Sequence, residues 1–147
     1  MKRIACGAIA FALMPGSQLH AQTSKINDLK GKIFDARMAQ KTFVNGLKFC
    51  KELDGSTFFF EPRNRVLNLQ EYHQSLENLA REGVFNPETR RPWNEQDASA
   101  RWLQVQQEAV RDKYNCELVA SLPQLEKQLA ELEQTDPARK QTDPAPK

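Results

Sequence analysis

Histidine is almost missing from this chain, with two residues among 147. One of them, His20, lies in a segment read below as a cleaved leader, so only His73 would remain. A lone imidazole between Tyr72 and Gln74 reads as a solvent-edge or hydrogen-bonded side chain rather than a metal ligand. Its isolation also removes the base that Ser–His and Cys–His catalysis require. Cysteine is scarce too, at three residues, with no Cys-x-x-Cys pair and no haem-attachment Cys-x-x-Cys-His. Six glycines form no phosphate-cradling loop. No cofactor and no metal site are expected, and the chain does not read as an enzyme.

Long hydrophobic runs are also lacking. The longest, Ile4 to Met14, is about eleven residues, too short for a membrane helix, which needs ~20. It follows Lys2 and Arg3 and precedes Pro15-Gly16 and the small-residue stretch Leu19-His20-Ala21. That order of positive region, apolar core and cleavage site is the pattern of a secretory signal peptide. Residues 1–21 are therefore expected to be removed between Ala21 and Gln22, which directs the protein to the bacterial periplasm or, alternatively, outside the cell. No stable membrane insertion is expected after cleavage.

An excess of one charge disappears with the leader. The 21 basic and 19 acidic residues lose Lys2 and Arg3, which leaves 19 of each and a formal net charge of zero. Nucleic-acid binding, which rests on a clustered basic excess, is not expected. Cys6 is lost as well. Cys50 and Cys116 remain, and in an oxidising compartment two cysteines read as one disulfide.

What is present is helix-forming sequence: Gln, Glu, Leu, Ala, Lys and Arg in abundance. The spacing predicts a first helix from Thr23 or Ser24, with Ile26, Leu29, Ile33, Ala36, Phe43, Leu47 and Cys50 on one face, ending at Asp54-Gly55. Phe58-Phe59-Phe60 reads as a short strand or an extended segment across the bundle, because Pro62 opposes helix. A second helix is predicted over Leu69–Arg81, capped by Asn68, carrying Leu69, Tyr72, Leu76, Leu79 and Ala80, and closed by Gly83. Val84 to Pro92 reads as loop. A third helix follows Asn94, with Ala98, Trp102, Val105, Ala109, Cys116 and Val119 as its stripe and Asp112 at the margin, near Arg111 and Tyr114. Ser121-Leu122-Pro123-Gln124 reads as a fresh start with Leu122, Leu125, Leu129 and Leu132 following, the alternative being a kinked continuation. The near-duplicate Gln134–Lys140 and Gln141–Lys147 reads as a disordered tail.

The expected fold is all-α: a small antiparallel bundle of three to four helices over residues 22–133, with one Cys50–Cys116 disulfide and a disordered C-terminal tail over 134–147. Two loop clusters stand out as a candidate partner surface: Phe58, Phe59, Phe60, Arg63 and Arg65, then Arg90, Arg91 and Trp93. Arg and Trp are enriched at interaction hot spots. Two readings of the Phe run stay open, a core plug by two of the three rings or an exposed patch. The arginines could equally pair with Glu61, Glu88 and Glu95. The expected function is non-catalytic binding of an unidentified envelope protein, as an accessory subunit of a secretion or envelope assembly. The alternatives are a periplasmic inhibitor or immunity protein blocking a hydrolase, and a carboxylate-dependent hydrolase.

Overall fold

The computed structural model describes residues 16–136. The apolar core of the expected leader and the duplicated stretch from 137 onward lie outside the described residues. Two long helices dominate, α1 (Gly16–Thr42) and α4 (Glu95–Thr135), with α3 (Leu69–Glu82) between them in sequence and a one-turn helix α2 (Val44–Leu47). Two hairpins complete the order: β1 (Thr57–Phe60) with β2 (Arg65–Asn68), and β3 (Phe85–Asn86) with β4 (Arg91–Pro92). The described residues are thus mostly helical but not all-α, and they show no closed helical bundle. The expected loop 84–92 is drawn into a hairpin because the Trp93 amide donates to the Val84 carbonyl at 2.8 Å, next to the Phe85–Pro92 register pair.

α4 is the spine. Its C-terminal half runs antiparallel to α1, as the pairs Arg37–Glu126 (2.8 Å) and Lys30–Glu133 (3.1 Å) and the Gln22 amide on the Leu132 carbonyl (3.2 Å) establish. Its N-terminal half runs antiparallel to α3, where His73 lies against Trp102 at 4.3 Å between ring centroids. α1 and α3 therefore pack on successive segments of one helix rather than on each other.

Helix limits follow local chemistry. Asn68 caps α3 by accepting from the Gln70 and Glu71 amides, and Gly83 ends it in the left-handed region that glycine tolerates. Asn94 caps α4 through the Asp97 amide. α1 begins earlier than expected, at Gly16, because Thr23 turns its hydroxyl back onto the Leu19 carbonyl instead of capping. It also ends earlier, at Thr42. The chain breaks at Phe43, whose ring lies over Gly46 so closely that any Cβ there would collide with it. α4 continues through Pro123. The expected cap Ser121 instead bonds back to the Leu118 carbonyl at 2.8 Å, and the contacts of the last turns with α1 offset the lost proline N–H. The helix reaches Thr135, so Gln134 and Thr135 belong to it and not to a tail.

The β1–β2 hairpin separates two cores. Successive strand residues face opposite ways, so Phe59 joins Leu53 and Cys116, packed by Phe43, Phe49 and Val66, while Phe58 joins Val105 and Ala109, packed by Leu67, Tyr72 and Trp102. The Cys50–Cys116 disulfide, with Cα atoms 5.5 Å apart, closes the first of these cores. Among the described residues no helix is long and apolar enough to cross a membrane.

Candidate functional site

A polar stripe accompanies the apolar one along α4. Arg101, Gln104, Glu108, Arg111, Asp112 and Asn115 recur at three- and four-residue steps, which places them on one side of the helix. That side forms one wall of a cleft of about 660 Å³. The break at Phe43 brings Phe43 and Val44 to it from the α1 end, and the Phe60-Glu61-Pro62 corner brings the first hairpin. Tyr72 arrives from α3, and Glu88 and Trp93 come from the second hairpin and the residue after it.

The wall is held by charge and ring contacts. Arg101 Nη1 donates to Glu108 Oε1 at 2.9 Å, its Nε donates to the Tyr72 hydroxyl at 3.4 Å, and its guanidinium lies 5.9 Å from the Tyr72 ring centre. Both members of the ion pair are largely shielded, so the contact is screened less than a surface pair.

Asp112 is the unusual member. It is 1 % exposed and sits within the apolar stripe rather than at its margin, which corrects the sequence expectation. The reason is the unpaired edge of β1. A two-stranded sheet leaves the outer amides of each strand without partners, and Asp112 Oδ2 accepts from the Phe59 N–H at 2.8 Å. The carboxylate thereby stands where a third strand would supply a carbonyl. Oδ1 has no hydrogen-bond partner among the described residues, and Arg111 Nη2 approaches it only to 3.8 Å. Burial raises the Asp112 pKa above its ordinary value; the Phe59 amide and Arg111 pull it down only in part, and Glu108 adds to the rise.

A raised carboxyl pKa means that the folded state holds this proton more firmly than the unfolded chain. Stability from this residue is therefore full below the unfolded pKa of about 3.9 and declines as pH rises through the folded value. Asp112→Asn keeps an oxygen for the Phe59 amide and removes the charge. Its urea midpoint is expected above that of the wild type at pH 7, with the gap narrowing toward pH 4. Parallel midpoints across that range would show that the buried charge carries no such cost.

The sequence-predicted surface is only partly a surface. Phe58 and Phe59, at 0 % and 9 % exposure, are core on opposite faces of the hairpin and form no exposed patch, although Phe59 also borders the cleft. Phe60 and Trp93 are half-buried and line the cleft. Arg63, Arg65, Arg90 and Arg91 are exposed and lie outside its lining, although both hairpins that carry them border it. Arg91 pairs with Asp97 at 2.8 Å. Arg63, Arg65 and Arg90 form no ion pair among the described residues, so the expected pairing with Glu61, Glu88 and Glu95 does not occur. Arg90 and Asn64 hold positive φ angles of 56° and 49° at the hairpin turns. The residues that sequence reasoning missed are Arg101, Glu108 and Asp112 with the aromatic Phe43 and Tyr72. The polar stripe on α4 was the available signal.

The Ala21–Gln22 bond lies within α1, ahead of the Arg37 and Lys30 anchors to α4. Among the described residues no group of three His, Cys, Asp or Glu could hold a metal ion. No protein-family model matches the chain, and comparisons with curated proteins and with solved structures find no significant match.

Proposed function

We propose that this is an exported, non-catalytic protein that binds a protein partner in the cell envelope, as an accessory subunit of a secretion or envelope assembly. One observation carries the reading: two hairpins, whose turn arginines Arg63, Arg65 and Arg90 form no ion pair among the described residues, flank one aromatic-lined cleft. Exposed arginines beside half-buried aromatics are the composition of an interaction hot spot, and loops set on a rigid scaffold are where binding residues concentrate. The disulfide suits an oxidising compartment.

The test is capture from an envelope extract on the immobilised protein. Wild type is expected to retain a partner that the triple variant Arg63→Ala/Arg65→Ala/Arg90→Ala holds at least tenfold less well, with the far-UV circular dichroism of both unchanged. Equal retention would remove the hairpin turns as the binding surface.

A second reading, carboxylate-dependent hydrolysis, has one observation in its favour. Glu108 and Asp112 are one helical turn apart on the same cleft wall, and Asp112 is buried. The Arg101 pair and the Phe59 amide already engage these two carboxylates, which favours a structural duty for them. Turnover of a glycoside or ester that disappears in Asp112→Asn would reverse that ranking.

A further inference from the structure

Asp112 occupies a position where the α4 stripe calls for an apolar side chain, between Ala109 and Cys116, all three buried. One of its oxygens serves the fold, by accepting from the Phe59 amide. The other accepts no hydrogen bond among the described residues and has only the Arg111 guanidinium beside it, at 3.8 Å. A buried acceptor without a donor is a cost that a protein removes readily by substitution unless the group has another use. Here the group lines the wall of a cleft but is closed to solvent, so a donor entering the cleft reaches it by displacing a neighbouring side chain of the wall.

The surroundings define that donor. Phe43, Phe60, Tyr72 and Trp93 offer aromatic surface to the cleft, and ring faces attract cations. Glu61 and Glu88 add negative charge at the hairpin side. Of the cleft's three cations, Arg101 is spent on Glu108 and Tyr72, and Arg111 is an exposed side chain that stays 3.8 Å from Asp112. The third, Lys41, is exposed at the α1 end with no hydrogen bond to Asp112. A planar or tetrahedral N–H donor carrying positive charge on an alkyl stem satisfies the open oxygen and the rings together.

We propose that the cleft receives a basic side chain, a guanidinium or primary ammonium, presented by the protein partner, and that Asp112 Oδ1 is its anchor. This deepens the partner-binding reading and rests on it. The guanidinium is the better fit, because its fork donates to a carboxylate while its plane stacks on an aromatic ring.

The test needs no partner. The full, disulfide-bonded protein is titrated with N-acetyl-arginine-N-methylamide and, separately, with the uncharged citrulline analogue, while the Phe59 amide and Trp93 indole signals are followed by ¹H–¹⁵N NMR. Saturable shifts with the arginine compound are expected in the millimolar range, with at least tenfold weaker binding of the citrulline compound. Asp112→Asn, which keeps the Phe59 hydrogen bond, is expected to weaken arginine binding at least tenfold with the remaining spectrum preserved. No saturable shift, an equal response to citrulline, or unchanged affinity in Asp112→Asn would overturn the anchor. Should that happen while the extract partner is still lost on the triple arginine variant, the partner-binding reading stands without it. Should arginine bind as expected while the triple variant retains its partner fully, the cleft stands and the hairpin turns do not.

Discussion

Replacing both Cys50 and Cys116 with alanine is expected to lower the unfolding free energy by about 4 kcal/mol. The bridge joins residues 66 apart in sequence. In the loop-entropy account a closure of that size removes a large set of unfolded conformations, and the stabilisation grows with the logarithm of the loop. The bond also ties the turn after α2 to the middle of α4, where Cys116 packs with Leu53 and Phe59. For a domain whose whole stability is of order 5–15 kcal/mol, such a loss is a large share. The midpoint of thermal unfolding, followed by circular dichroism, is expected to fall by roughly 15 °C. A shift of about 3 °C or less would mean that the two-core arrangement stands without the bridge.

Phe58→Ala is expected to cost about 3–5 kcal/mol. Phe58 is fully buried, and its ring makes edge contacts with Phe60 at 6.3 Å and Tyr72 at 5.1 Å between centroids. Its neighbours Val105 and Ala109 sit on a rigid helix, and Leu67 sits on the paired strand, so the vacated volume cannot collapse cheaply. Phe60→Ala is the internal control. Phe60 is half-buried at the cleft, and its truncation is expected to cost less than half as much. Urea unfolding of the two variants checks the order. Equal losses would contradict the separation of the three rings into core and cleft.

The helices that carry a one-sided apolar pattern were legible. Leu69 to Gly83 was readable to within a residue, because an Asn cap, an apolar face and a terminal glycine agree there. So was the α4 stripe from Ala98 to Cys116, and with it the disulfide. The misreadings share a cause. Phe43, Ser121 and Pro123 have local preferences that packing overrides: Phe43 leaves the helix to cover Gly46 and join Phe59, whereas α4 passes through Pro123 to keep its register on α1. Asp112 was assigned to a margin because a lone carboxylate has no place in an apolar stripe. Its partner is a backbone amide 53 residues away.

The amino-acid sequence by itself determined the helix-rich class, the cap and stop positions of α3, and the pairing of Cys50 with Cys116. These depend on periodicity, on backbone chemistry within a few residues, or on elimination. Tertiary structure alone decided that α1 and α3 each pack antiparallel on α4, that Phe58 and Phe59 close separate cores, and that two hairpins meet at one cleft. Those outcomes depend on strand edges and helix faces finding partners far along the chain. The donor that pulls Asp112 into the core exists only once β1 has paired with β2 and presented its outer edge to α4.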